Sequence, residues 1–156
     1  VIDAAAAASA ARSALRDLHG PGHDAARAAL ANGNVDPAFL VARLDRPERS
    51  FYLVPWRDER GVVLVAQVDA ASGALNSVAV LPEPVGDVLI SKERARALVT
   101  AGGGRVAGDP QLVWQPCRES MSPLQPLYRV PIERGAAYVA MDGTVHDQLT
   151  PLGKGG

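Results

Sequence analysis

A chain of 156 residues has room for one ordinary domain or two very small ones, and halves of about 70 residues would each be marginal alone, so they are expected to pack together. Its 16 Lys+Arg and 17 Asp+Glu nearly balance, and the basic residues are scattered among acids, as in Arg57-Asp58-Glu59-Arg60; a nucleic-acid partner calls for a basic stripe, and none is present. The single cysteine, Cys117, excludes an intramolecular disulfide and a cysteine-rich zinc site, and no apolar run reaches the roughly 18–20 residues needed to cross a bilayer, so no membrane insertion is expected of this segment.

Residues 3–19 read as a helix. Asp3 serves as N-cap or first-turn acid, alanine dominates the turns after it, and Leu15 and Leu18 give a narrow apolar stripe. Residues 4–11 lack the basic n-region of a signal peptide; a segment removed from before Val1 would carry any such signal. Gly20-Pro21-Gly22 breaks the helix. A second helix is expected from Asp24, as N-cap, to the stop at Asn32-Gly33-Asn34.

Residues 37–44 and 50–56 read as strands, with Pro55 arguing for an edge position or a strand end. Residues 61–70 form the clearest strand, Ala71-Ser72-Gly73 a hairpin turn, and residues 74–81 the return strand. Pro82-Glu83-Pro84-Val85-Gly86 reads as a linker. The order then recurs. Ser91 caps a helix over residues 92–101 that ends at Gly102-Gly103-Gly104. Residues 111–118, 127–133 and 135–141 are strand-like, Asp142-Gly143 is a turn, and residues 145–149 form a short return strand. The closing Gly153-Lys154-Gly155-Gly156 reads as a linker.

Three segments match between the halves. Ala26-Arg27-Ala28-Ala29-Leu30 matches Ala95-Arg96-Ala97-Leu98, and Asp36-Pro37 matches Asp109-Pro110. Tyr52-Leu53-Val54-Pro55 matches Tyr128-Arg129-Val130-Pro131, with Gly61 and Gly135 coming next. The spacing drifts between strands, where insertions are tolerated. The expectation is an α+β protein of two tandem helix-plus-antiparallel-sheet units: an N-terminal helix over 1–22, one unit over 23–85 and a second over 86–156.

Val65-Ala66-Gln67-Val68-Asp69-Ala70-Ala71-Ser72-Gly73-Ala74-Leu75 resembles the last hairpin of PepSY domains, which carry a Val-x-Val-Asp-Ala-x-Thr/Ser-Gly-x-Val/Leu pattern after a helix and strands. The second copy, Val139-Ala140-Met141-Asp142-Gly143-Thr144-Val145, has lost the Ala-x-Ser part of the turn. The resemblance implies a cystatin-like α+β unit in tandem. It also implies an inhibitory or chaperone-like role, as in protease propeptides and bacterial cell-envelope proteins, and an extracytoplasmic place. It carries over no catalytic residues and no cofactor.

His19 and His23 have a metal-like spacing, but Gly20-Pro21-Gly22 between them defeats helical geometry, so no metal site is expected. Cys117 and His146 would make a nucleophile–base pair, yet nothing around Cys117 lowers its pKa. Gly102-Gly103-Gly104 comes after a helix, the reverse of a phosphate cradle. No catalytic, cofactor or metal residue is therefore assigned. Tyr52, Trp56, Trp114 and Tyr128, on equivalent strands, are the candidates for a partner-binding aromatic surface, with core packing as the competing role. The strand edges near Pro55 and Pro131 are the candidate places for an extended peptide.

The function these features point to is a non-enzymatic binding or inhibitory module, propeptide-like toward a protease. The alternatives are a scaffolding domain of a larger envelope or secreted protein, and a cone-shaped α+β domain with a ligand pocket lined by His146, Asp147 or Glu133.

Overall fold

The computed structural model describes residues 1–18 and 22–152. Among them are three helices and nine strands, mostly antiparallel, so the chain is α+β. It divides into two compact units, one of Val1–Leu40 with Glu48–Val88, the other of Val41–Pro47 with the chain from Leu89 onward. No helix among the described residues is long and apolar enough to cross a membrane. His19, Gly20 and Pro21, and the glycine-rich residues 153–156, lie outside the described residues.

The first unit opens with α1, Ala4–Arg16. Asp3 is its N-cap, and Oδ1 accepts from the Ala6 amide at 2.7 Å. That bond satisfies one of the donors a helix start leaves open. The buried stripe is Ala7, Ala11 and Leu15, four residues apart, so alanine rather than leucine lines most of the contact. Small side chains let the helix axis approach the sheet closely. The second helix, α2, spans Asp24–Asn32. Asp24 is its first helical residue and His23 the cap, without a side-chain capping bond; the Asp24 carboxylate instead takes the guanidinium of Arg27.

Both helices lie on a sheet of β1 (Asn34–Val35), β3 (Phe51–Asp58), β4 (Gly61–Asp69) and β5 (Leu75–Val85). Tyr52, Val54 and Trp56 on β3 and Leu64, Ala66 and Val68 on β4 share the face toward the helices, as the two-residue period of a strand requires. A short 3-10 turn, Pro47–Arg49, leads into β3. Gly61 opens β4 with φ +128, where a Cβ would stand 2.5 Å from the carbonyl oxygen of Val85, so both conformation and space demand glycine.

Pro55 is not at an edge. It pairs with Val65 of β4, and its carbonyl accepts from the Asp36 amide on the β1 side at 2.9 Å. In a strand the N–H and C=O of one residue point to the same side. The donor that proline lacks therefore faces the point where two-residue β1 ends, and no bond to β4 is lost. β5 likewise runs past its expected end and includes Pro82-Glu83-Pro84-Val85 rather than a linker. The register with β4 shifts between Leu64↔Val80 and Val62↔Val85, so both prolines sit in an irregular stretch of an edge strand.

The second unit holds α3 (Lys92–Ala101), β6 (Gln111–Trp114), β7 (Leu127–Ile132), β8 (Gly135–Val139) and β9 (Val145–His146). Ser91 Oγ caps α3 by accepting from the Arg94 amide at 3.0 Å. Ala95 and Val99 pack on Tyr128, Val130, Ala137 and Val139. β2 (Phe39–Arg43) pairs in parallel with β6 through Ala42↔Val113 and Arg43↔Trp114. β6 is shorter than expected because Pro116 interrupts it, and Cys117 makes only isolated bridges to Ser120 and Pro151. Pro131, like Pro55, is interior: it pairs with Ala136, and its carbonyl accepts from the Ala107 amide at 2.8 Å.

One contact recurs inside both units. Tyr52 Oη donates to the carbonyl of Ile2 at 2.7 Å, and Tyr128 Oη donates to the carbonyl of Ile90 at 2.9 Å. Each acceptor belongs to the residue before a helix N-cap, and each donor sits near the open end of a hairpin, at Tyr52↔Val68 and Tyr128↔Val139. The phenol thus pins a helix start to its sheet while satisfying a backbone oxygen. Tyr52→Phe and Tyr128→Phe are each expected to cost about 0.5–1.5 kcal/mol of stability. Urea unfolding reads this as a lower midpoint at unchanged slope; an unchanged midpoint in both variants would contradict the anchoring role.

Candidate functional site

The four aromatic residues singled out from the sequence do not form an exposed cluster. Trp56 is 1% exposed, and Tyr52, Tyr128 and Trp114 are 6%, 5% and 6% exposed. Tyr52 and Trp56 are on β3 and Tyr128 is on β7, but Trp114 is on β6, the strand before. The ring of Trp114 lies 5.1 Å beneath the guanidinium of Arg43, which also makes a two-pronged contact to Asp45, at 3.0 Å to Oδ1 and 2.6 Å to Oδ2. That bond, ahead of burial in the opposite sense, holds the Asp45 carboxyl below its ordinary pKa. The rings are part of the packing, and a partner reaching this chain meets other surfaces first.

The remaining chemical candidates are equally committed. Cys117 is buried, its thiol donates to the Ser120 carbonyl at 3.6 Å, and burial pushes its pKa up, the reverse of an activated thiolate. Glu119, in the same loop, accepts from the amide of Thr150 at 2.8 Å and from its hydroxyl at 2.7 Å, and the amide bond leads in lowering its pKa. Residues 120–126 close on themselves: Ser120 Oγ donates to the carbonyls of Ser122 and Gln125, and Ser122 Oγ accepts from the Leu124 amide. A concavity of about 400 Å³ lies beside this loop, lined by Glu119, Ser120, Gln125, Ala140, Met141 and Asp142. His146, Asp147 and Glu133 are not among the residues lining it. Among the described residues no cluster of His, Cys, Asp or Glu could hold a metal ion.

The surface with unsatisfied capacity is β5. Among the described residues it ends the sheet and pairs with β4 alone. Natural edge strands are blunted by charge, proline, a bulge or brevity. Here the prolines and one register shift guard residues 81–85, and a second shift, between Gln67↔Ser77 and Val68↔Leu75, leaves Asn76 as a bulge near the start of the strand. Residues 75–81, Leu-Asn-Ser-Val-Ala-Val-Leu, carry neither charge nor proline, and Val80 is 47% exposed. Alongside runs a groove of about 240 Å³, lined by Ala25, Ala28 and Ala29 of α2 and by Val80, Leu81 and Pro82 of β5, with Asp58 and Arg60 also contributing to it. The alanines leave it open to an apolar side chain. Sequence reading missed this edge by ending the strand at Leu81 and placing the free edges at Pro55 and Pro131; the absence of charge from 75–81 was the signal present in the chain.

Asp69 fixes how β5 leaves β4. Its Oδ1 accepts from the amides of Ser72 at 2.8 Å and Ala71 at 2.9 Å, and from the Ser72 hydroxyl at 3.1 Å. Gly73 completes the turn at φ +76. In the second unit Asp142 has a thinner version, with the Thr144 amide at 2.9 Å and Gly143 at φ +90.

No family model matches this sequence, and no curated protein matches it. Among solved structures the YpmB protein from Bacillus subtilis is similar, with 18% identity and a TM-score of 0.45 over 86% of this chain and 100% of that one. At that score the likeness bears on neither fold detail nor function.

The bond from the Ser72 amide is the leading cause that lowers the Asp69 pKa; burial opposes it, and the Ser72 hydroxyl, the Ala71 amide and Arg49 add to it. A depressed folded-state pKa contributes stability above the ordinary aspartate value of about 4, and that stability is lost as the pH falls through the folded value. Asp69→Asn keeps an acceptor but removes its charge, so it is expected to cost about 1 kcal/mol near neutrality. The gap from the parent chain should narrow below about pH 4. Urea unfolding across that range checks it, and a gap independent of pH would contradict the assignment.

Proposed function

We propose that this chain is a non-enzymatic protein-binding module of two PepSY-like units in tandem, and that β5 is where it takes an extended segment of its partner. The observation that carries the reading is the edge over residues 77–81, without charge, proline or register shift, beside an alanine-walled groove. A row of unpaired backbone donors and acceptors with no charge to repel another strand is a template for strand addition.

Internal likeness supports the tandem reading. Ile2 and Ile90 precede the N-caps Asp3 and Ser91, and each gives its carbonyl to a hairpin tyrosine. Val35 pairs with Trp56 as Val106 bridges Ile132, one residue before the amide that reaches each interior proline. The turn Glu59-Arg60-Gly61 recurs as Glu133-Arg134-Gly135, both glycines at φ near +120. On this alignment α3 matches the start of α1 and the end of α2. The first unit spends two helices where the second spends one.

The PepSY resemblance supports an inhibitory, propeptide-like relation to an extracytoplasmic protease. Serine, cysteine and metalloproteases are to be incubated with the purified chain and residual activity measured, with gels to follow its integrity. The expected result is stoichiometric inhibition of one class by the intact chain, weakened about tenfold or more by Val80→Lys, which sets a charge on the open edge. No inhibition of any class would remove the inhibitory reading. Inhibition that Val80→Lys leaves unchanged would move the contact away from β5.

A further inference from the structure

The first unit has a second concavity, between the helices and away from the β5 groove. It measures about 540 Å³ and is lined by Arg12 and Arg16 of α1, Arg27 and Leu30 of α2, and Trp56 of β3. The chain as a whole is nearly neutral, at −1, yet three guanidinium groups gather here. Arg12 and Arg16 are exposed and make no ion pair among the described residues. Arg27 holds Asp24, whose side chain is 83% exposed and shares its charge with solvent.

The placement comes from the helix. Ala7, Ala11 and Leu15 turn inward, so Arg12 and Arg16, one position on, flank that stripe and stand on one face. Four residues of helix advance about 6 Å. In an extended peptide, side chains on one face recur every second residue, about 6.5–7 Å apart. Two guanidinium groups at this spacing match carboxylates at alternate positions, with Arg27 across the concavity for a further one. Leu30, half-buried, offers apolar surface to the residues between, over the buried ring of Trp56.

We infer that this concavity binds an acidic, extended segment of the partner protein, with carboxylates at alternate residues meeting Arg12, Arg16 and Arg27. The inference rests on the protein-binding role proposed above and names the chemistry of a contact separate from β5. Planar guanidinium groups suit carboxylates through paired hydrogen bonds. The site is open and its arginines are exposed, so the contact adds specificity and speed of encounter and is sensitive to salt.

The test uses the full chain and a fluorescein-labelled hexapeptide of alternating Glu and Leu, with the Gln-for-Glu peptide as control, monitored by fluorescence anisotropy. Binding is expected at about 20 mM salt, weaker at about 150 mM, and absent for the Gln peptide. Arg12→Ala with Arg16→Ala should weaken it about tenfold. Both are exposed helical positions that alanine suits, so the fold is kept and circular dichroism verifies it. Arg94→Ala, an exposed arginine on α3, should leave it unchanged. Equal binding by the double variant, equal binding of the Gln peptide, or no binding would overturn the inference. So would tighter Arg12- and Arg16-dependent binding of a single-stranded oligonucleotide or of vesicles with one quarter phosphatidylglycerol, which would replace the acidic peptide as occupant. Val80→Lys separates the two sites. Peptide binding that survives it supports an independent groove. Failure of the peptide alongside Val80→Lys-sensitive protease inhibition sinks the groove and leaves the edge standing.

Discussion

The tie between a hairpin tyrosine and the carbonyl ahead of a helix sets the geometry of each unit. A helix laid on a sheet has freedom to slide and rotate unless something directional fixes it. Tyr52 and Tyr128 supply that direction, because each phenol donates to one particular carbonyl ahead of the helix. Once the helix start is fixed, the helical period dictates which stripe faces the sheet. In the first unit that stripe is mostly alanine, which brings α1 close over Tyr52, Val54 and Trp56.

Pairing obeys the same economy of backbone groups. Pro55 and Pro131 sit inside their sheets because each lacks a donor only where a neighbouring segment has already turned away. Pro82 and Pro84 are tolerated on β5 because they fall in a register shift at the end of the sheet. A second register shift falls at Asn76, which leaves residues 77–81 as the stretch without charge, proline or bulge. The alanine-walled groove beside it and the arginine-lined concavity between the helices give that first unit surfaces of different chemistry. The corresponding hairpin of the second unit ends in two-residue β9, too short to offer the same template.

Much of the element order was legible from the chain. Asp3 and Ser91 announced helix starts, Gly33 and Gly102 helix ends, and Ala71-Ser72-Gly73 and Asp142-Gly143 the hairpin turns. These are local signals, and local chemistry decides them. The features that were not legible depend on neighbours in space. Whether a proline ends a strand depends on which side its missing donor faces, and no window of sequence around Pro55 or Pro84 contains that information. The burial of Tyr52, Trp56, Trp114 and Tyr128 was open for the same reason, since strand aromatics suit both a core and a surface. The matched tyrosines were visible as Tyr-x-Val-Pro; their acceptors, Ile2 and Ile90, lie 50 and 38 residues upstream and came only with the fold.

The central claim, that β5 is an open docking edge, is tested most directly by residue-resolved amide hydrogen exchange across residues 75–81 of the intact chain, free and with a protease that the inhibition assay selects. An open edge leaves the amides that face away from β4 in fast exchange in the free chain, alternating with protected ones that face it, and the bound partner should slow the fast set about a hundredfold or more. Protection already complete in the free chain, or fast exchange that persists under saturating partner, would contradict the account.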